Sequence, residues 1–267
     1  MSHPRPLLLA LSLVLMIPSC ATDFGEVPLT IVPIEGKVEI RVAEFHRGEA
    51  VPPVVSILMR TEQIFGCVNY SVLHTLLQRG DGIFLLIHGA SIGPICATAL
   101  GPAASVNFID LPAGTFLLHV EMNGRRDRYE LTITSATIHL LPIDTSISRP
   151  MERLAWRYPR QSFALFAGTM AGDEWLVGAY VDSLKKRVPV REIVSPEEGR
   201  WPYDRTVTGY ARNAPPRYFL YQLDSHFERA ASVLREFSEE HLKGRPGVGF
   251  WIENWKRQSF QSWRLMN

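Results

Sequence analysis

Five residues in the first half of the chain match the sequence motif that surrounds the catalytic serine of many hydrolases. Gly89-Ala90-Ser91-Ile92-Gly93 is a literal G-x-S-x-G sequence that follows a short apolar run. In a nucleophile elbow, such a sequence forms the sharp turn between a strand and a helix and exposes the serine. A histidine and a carboxylate must then lie beside Ser91 to accept its proton. The later candidates for that pair are Asp110 with His119, and Asp224 with His226.

The sequence around Ser91 opposes this chemistry. Gly101-Pro102 would end any helix that begins at Pro94, and no alternation of strands and helices precedes Ser91 to build a parallel sheet. The pattern therefore favours a glycine-rich loop of a β-structure and a protein that is not an enzyme. A serine hydrolase using Ser91 remains the alternative.

A second candidate site is the long polar segment from Ser195 to Arg217. Long loops on a rigid scaffold often carry function, and aromatic faces flanked by charged groups suit the binding of a sugar, a glycan strand or a peptide. Burial of its large aromatic side chains in the core of the second half is the competing interpretation. The residues predicted as a binding surface are Trp201, Tyr203, Asp204, Arg205, Tyr210 and Arg212.

The N-terminal segment predicts export. Arg5 precedes an apolar run from Leu7 to Ile17, which has the length of a signal-peptide core and is too short to span a bilayer. Residues 1–20 are therefore excluded from the fold.

The end of that segment, Leu15-Met16-Ile17-Pro18-Ser19-Cys20, resembles a bacterial lipoprotein signal. The resemblance implies lipidation of Cys20 and a membrane-anchored protein that faces the periplasm. An ordinary cleavage site with Ser19 and Ala21 as its small residues is the alternative, and it would release a soluble, secreted protein.

Two cysteines remain after the signal, Cys67 and Cys96. An even number in an exported chain predicts a disulfide, which would close a loop of about 30 residues. His74 and His88 lie too far from the cysteines for a common zinc motif, so a metal site is the weaker interpretation. The sequence carries no H-E-x-x-H and no phosphate-binding loop, and no cofactor is expected.

The segment 27–146 reads as an antiparallel β-sandwich. Val38 to Val42 alternates apolar and charged residues, as a strand with one buried face does, and other short apolar runs follow at short spacing. Asn123-Gly124 predicts a hairpin turn.

One stretch of this segment carries a resemblance to known folds. Val106 to Val120 contains Leu111-Pro112-Ala113-Gly114 between two apolar runs. It resembles the strand, turn and strand of prealbumin-like and carboxypeptidase-regulatory-like sandwiches. The resemblance implies an immunoglobulin-like or prealbumin-like sandwich, and it implies no activity.

The segment 150–267 predicts a separate α+β domain that holds all six tryptophans. Trp175 to Val181 and Val188 to Val194 read as paired strands, and Tyr218 to Leu242 reads as one long amphipathic helix. Two strands are expected at the end, Val248 to Trp255 and Ser259 to Leu265. Ser148 to Pro159 is expected to be a helical turn or a linker.

The charge is divided between the two halves. Residues 21–147 contain 8 Lys and Arg against 13 Asp and Glu, whereas residues 148–267 contain 19 against 14. Opposite net charges favour docking of the halves on each other, or approach of the basic half to an anionic surface. Export and the lack of a dense basic stripe argue against a nucleic-acid partner.

Together these features predict a mainly β envelope protein that acts as a binding or structural module. The expected partners are the membrane, through the lipid anchor, and a glycan, a peptide or an envelope protein. A further alternative is that the protein is an accessory subunit of an envelope assembly.

Overall fold

The computed structural model describes residues 30–93, 95–203 and 214–265. The signal segment, the predicted lipidation site Cys20, and four residues of the predicted binding loop, Asp204, Arg205, Tyr210 and Arg212, lie outside these ranges. The expectation of a mainly β chain is confirmed.

The first half forms two sheets that face each other. The larger sheet has the strand order β1-β5-β7-β8-β9-β11, with β4 on the other side of β5, and the smaller sheet has the order β10-β2-β3-β6. The strands are β1 (Ile31–Val32), β2 (Val38–Phe45), β3 (Val54–Phe65), β4 (Ser71–Arg79), β5 (Gly82–Ser91), β6 (Gly101–Phe108), β7 (Gly114–Met122), β8 (Arg125–Ile133), β9 (Thr137–Asp144), β10 (Ser148–Pro150) and β11 (Leu154–Trp156).

The pairing corrects the expectation of a purely antiparallel sandwich. β5 pairs with β7 in parallel, and β10 pairs with β2 in parallel, while the other pairs are antiparallel. The strands on either side of the Leu111-to-Gly114 turn, β6 and β7, lie in different sheets. The hairpin at Asn123-Gly124 is confirmed, because both residues have positive φ and Met122 pairs with Arg125.

The alternating strand pattern explains the core of this half. Inward residues of β2 and β3, such as Ile40 and Ile57, pack against inward residues of β5 and β7, such as Leu85 and Val120. All four are fully buried or nearly so. The period of two along each strand places the polar neighbours on the outside.

A buried aspartate fixes the crossing from one sheet to the other. The two oxygens of Asp127 accept hydrogen bonds from the backbone N–H groups of Ser146, Ile147 and Ser148 and from the hydroxyls of Ser146 and Ser148, at 2.6–3.1 Å. Ser148 then begins β10 in the opposite sheet. The expected turn or linker at 148–159 is therefore wrong in part, since β10 and β11 add strands to both sheets.

The second half is built on one antiparallel sheet with the order β13-β14-β12-β15-β16. Two helices pack on one of its faces through Leu176, Tyr180 and Leu234. The elements are β12 (Ser162–Gly168), α1 (Trp175–Arg187), β13 (Arg191–Ile193), β14 (Arg217–Leu220), α2 (Asp224–Phe237), which continues into a π-helical turn (Ser238–Leu242), β15 (Gly249–Asn254), β16 (Ser259–Gln261) and α3 (Ser262–Leu265).

Three predictions in this half are wrong in detail. Trp175 to Val181 is the start of helix α1, because buried Leu176, Tyr180 and Leu184 recur at helical spacing. The amphipathic helix begins at Asp224, since Tyr218, Phe219 and Leu220 belong to β14. The final predicted strand ends at Gln261, where α3 begins.

Candidate functional site

The two cysteines are joined. Cys67 and Cys96 form a disulfide with their Cα atoms 5.4 Å apart, which confirms the sequence prediction. Within the described ranges no group of three His, Cys, Asp or Glu side chains is placed to hold a metal ion. The disulfide therefore links the segments that follow β3 and β5.

Ser91 does not lie on a strand-to-helix turn. It is the last residue of β5, mostly buried, and it pairs with Ile31 on one side and Ser71 on the other. The described residues that follow it, up to Leu100, are not helical. In the part of the chain that the structure describes, no hydrogen bond joins its hydroxyl to a histidine or a carboxylate. Packing explains the glycine at position 89, because β1 approaches so closely that a side chain would not fit there.

Two aromatic side chains of the predicted binding loop face inward. Trp201 is 8% exposed and Tyr203 is 1% exposed, so neither side chain offers a binding surface of its own. Large aromatic residues are buried on average, and here they cover the face of the C-terminal sheet that lies opposite the helices. The burial of these two side chains is what the competing interpretation expected.

These side chains belong to an aromatic cluster with Tyr158 and Tyr218. The ring of Tyr203 meets that of Tyr158 edge-on at 5.0 Å, and the ring of Trp201 meets that of Tyr218 at 5.5 Å. The Tyr203 hydroxyl donates to the carbonyl of Ser162 at 3.0 Å. Burial raises the pKa of Tyr203 well above its ordinary value, so its hydroxyl stays protonated and acts as a structural donor.

The aromatic cluster lies at the boundary between the sandwich and the C-terminal sheet. At the end of β2, the Glu44 carboxylate accepts hydrogen bonds from Arg157 Nε and from the backbone N–H of Tyr158, each at 2.7 Å. Two residues on, His46 Nε2 lies 2.8 Å from the carbonyl of Trp255. These contacts hold the two halves together and leave a cleft beside them.

The cleft consists of two adjoining cavities that share Glu44, Trp156 and Tyr158 in their walls. The smaller cavity has a volume of about 270 Å³ and also contacts Arg200 and Arg257. The larger has a volume of about 630 Å³ and extends past Trp156 to Trp201 and Trp255. Ligand sites are most often concave, partly aromatic and located between domains, with volumes of roughly 300–1,000 Å³.

The cleft is basic. Arg157 is neutralised by Glu44, but Arg160, Arg200 and Arg257 have no acidic partner among the described residues. Arg257 occupies the turn between β15 and β16 with a left-handed φ of 67°. That turn is held by Asn254, whose side-chain oxygen accepts from the backbone N–H groups of Lys256 and Gln258. A strained residue held in place by its surroundings is typical of ligand sites.

Sequence reasoning found only part of this site. It selected Trp201, but it missed Glu44, His46, Trp156 and Arg257, which come from four separate segments. The one available signal was the charge division between the halves, which favoured their docking. Nothing in the local spacing of these residues identifies the cleft.

None of the described helices has the length and apolar character needed to cross a bilayer. Comparison with known proteins gives no assignment: no family model, no curated protein and no solved structure matches this chain.

Proposed function

We propose that this chain is an exported envelope protein, anchored through a lipid on Cys20, whose cleft between the sandwich and the C-terminal sheet binds an acidic glycan. The observation that carries the proposal is the pair Arg200 and Arg257, which line a cavity without an acidic partner among the described residues. Guanidinium groups recognise carboxylates and phosphates through paired hydrogen bonds.

The aromatic walls supply the second part of the recognition. Trp156 lies between the two cavities and is half-buried, with its indole N–H donating to the carbonyl of Glu198 at 2.8 Å. That bond fixes the ring in place, and a fixed aromatic face suits the apolar face of a sugar ring. Arginines beside it would bind carboxylates on the same sugar chain.

Trp201 adds a buried donor. Its indole Nε1 has no hydrogen-bond partner in the described part of the chain, and the residue lines the larger cavity. An unpaired buried donor costs roughly 1–3 kcal/mol, so a ligand oxygen that accepts from it would gain affinity.

The disulfide supports the proposal that the protein is exported. Disulfides persist in oxidising compartments such as the periplasm and the extracellular space, which agrees with the export signal. Lipidation of Cys20 would add an acyl mass to a mature chain that begins at that residue, and intact mass spectrometry of the membrane fraction tests it.

Ligand binding is tested by tryptophan fluorescence, because Trp156, Trp201 and Trp255 surround the cleft. The mature protein is titrated with uronic-acid oligosaccharides, neutral oligosaccharides of equal length and an acidic peptide. We expect saturable binding of the acidic sugars, weaker binding at high salt, and little response to the neutral ones. Equal response to acidic and neutral sugars, or preference for the peptide, would contradict the proposal.

A further inference from the structure

The end of the sandwich that carries the disulfide exposes a group of large apolar side chains. Ile95 is 77% exposed and Leu100 is 78% exposed, and both lie in the loop that Cys96 ties to Cys67. Ile64 and Val68, at 58% and 48%, lie on the other side of the disulfide. We call these four residues the apolar tip.

The apolar tip lies in two long uncharged stretches of the chain. Residues 63–78 and 82–109 contain no Asp, Glu, Lys or Arg, although these types make up 21% of the sequence. An exposed loop of a soluble protein is ordinarily rich in such residues. Grouped apolar exposure without charge marks a surface that contacts another apolar phase.

The apolar tip is held rigidly. Asn69 donates to the carbonyl of Ile95 at 2.7 Å and accepts from the backbone N–H of Ala97 at 3.0 Å. Beneath the loops, the rings of Phe65 and Tyr70 stack at 4.5 Å. With the disulfide, these contacts hold the backbone of the loop that presents Ile95 to solvent.

The described chain also begins at this end. β1 runs antiparallel to β5, with Ile31 opposite Ser91, so Thr30 lies at the end of the sheet where β5 continues into the disulfide loop. Thr30 is ten positions after Cys20 in the sequence. Ten extended residues reach at most about 36 Å, which keeps the apolar tip close to any membrane that holds Cys20.

The cleft lies at the opposite end of the sandwich. β3 begins at Val54, which pairs with Phe45 beside the cleft, and its twelfth and last residue is Phe65 beside the disulfide. A strand of that length spans roughly 37 Å. Contact of the apolar tip with a membrane would therefore point the cleft away from the lipid surface.

We infer that the apolar tip is a second membrane contact, which inserts Ile64, Val68, Ile95 and Leu100 into the boundary between headgroups and acyl chains. The inference rests on the proposed envelope location. Apolar side chains that enter this boundary add to the attachment that a lipid on Cys20 would give, and they orient the protein on the membrane. Because the apolar tip is uncharged, its binding depends little on salt or on anionic lipid.

The test is flotation with vesicles of phosphatidylethanolamine and phosphatidylglycerol. The mature chain carries Cys20→Ser and is exported behind an ordinary secretory signal, so that it forms the disulfide without an acyl group. We expect it to float, and Ile95→Asp/Leu100→Asp to lower the partition coefficient by about tenfold or more. The matched control is Leu141→Asp/Ile143→Asp, two residues of β9 that are 43% and 55% exposed.

Retention of flotation by the control, with loss by the tip variant, supports the inference. Absence of flotation in the parent chain, or equal loss in both variants, overturns it. If the parent chain is a dimer and the tip variant is a monomer that floats equally well, the apolar tip contacts a second copy of the chain. That result would also overturn the inference. Because the acyl group is absent, failure here is separate from failure of Cys20 lipidation or of glycan binding.

Discussion

Glu44 and Arg157 form an ion pair at 2.7 Å at the point where the chain passes from the sandwich to the C-terminal sheet. The Glu44 side chain is only 5% exposed, and its second oxygen accepts from the backbone N–H of Tyr158. One carboxylate therefore positions the segment that carries Trp156 and Tyr158 into the cleft.

Replacement of Glu44 is expected to loosen this boundary. Glu44→Gln leaves the Arg157 guanidinium without its partner, and we expect a loss of about 1–3 kcal/mol in the free energy of unfolding. Chemical denaturation measures the loss. The control is Glu121→Gln, which breaks the exposed pair with Arg126 and should cost about 0.5 kcal/mol or less. Equal losses in the two variants would show that the boundary is not held this way.

Asp127 should make stability depend on pH. Burial raises the pKa of Asp127, but the hydrogen bonds from Ser148, Ser146 and Ile147 together lower it more, so the folded-state pKa lies below the ordinary value. The stabilisation is complete above the unfolded pKa of roughly 3.9 and is lost as the pH falls toward the folded value.

Asp127→Asn is therefore expected to destabilise the protein by about 3 kcal/mol at pH 7 and by less as the pH falls through roughly 4. Urea unfolding of both proteins from pH 7 to pH 3 measures the difference. A difference that stays constant over this range would contradict the role of the ionised carboxylate.

Gly89 is expected to be required for the approach of β1 and not for catalysis. A Cβ at this position would lie 2.7 Å from Ile31 Cγ2 and 2.8 Å from the carbonyl oxygen of Val32, and the residue has a φ of 149°. Gly89→Ala should separate β1 from β5 and expose the chain near residue 31 to protease. Gly93→Ala is the matched control, because nothing lies within 4 Å of its added Cβ. Equal protease resistance of the two variants would count against this explanation.

The disulfide is expected to stabilise the sandwich and to support the apolar tip. Cys67→Ser/Cys96→Ser opens a loop with a sequence separation of 29, and the chain-entropy model gives a loss of about 3–4 kcal/mol. Thermal unfolding measures this loss, and the same variant should float less well with vesicles. A variant that unfolds earlier yet floats as before would separate the two roles.

The sequence predicted the elements whose signal is local. The alternation in Val38 to Val42 and the Asn123-Gly124 turn each identify a feature that neighbouring residues determine. The disulfide was predicted from the number of cysteines instead, and the structure contains all three features. Helix α1 was missed because Trp175 to Val181 is a short apolar run, which periodicity cannot assign. Extending the window to Leu184 brings out its helical spacing.

The cleft was beyond sequence reasoning for a physical reason. Its walls combine Glu44, Trp156, Arg200 and Arg257, which the tertiary fold brings together from separate strands and loops. The aromatic richness of the segment around Trp201 was visible, but whether such side chains face inward depends on the sheet beneath them. The large exposed fractions of Ile95 and Leu100 are likewise set by the disulfide and the turn at Asn69.

The measurement that tests the account most directly is the dissociation constant of the mature protein for a uronic-acid oligosaccharide, compared with Arg200→Gln/Arg257→Gln. Arg229→Gln, on the exposed side of α2, is the control. We predict that the double variant binds at least about tenfold more weakly, with an unchanged free energy of unfolding, and that the control binds as the parent does. Absence of binding by the parent protein, or equal affinity in all three proteins, would contradict the claim that this cleft is the functional site.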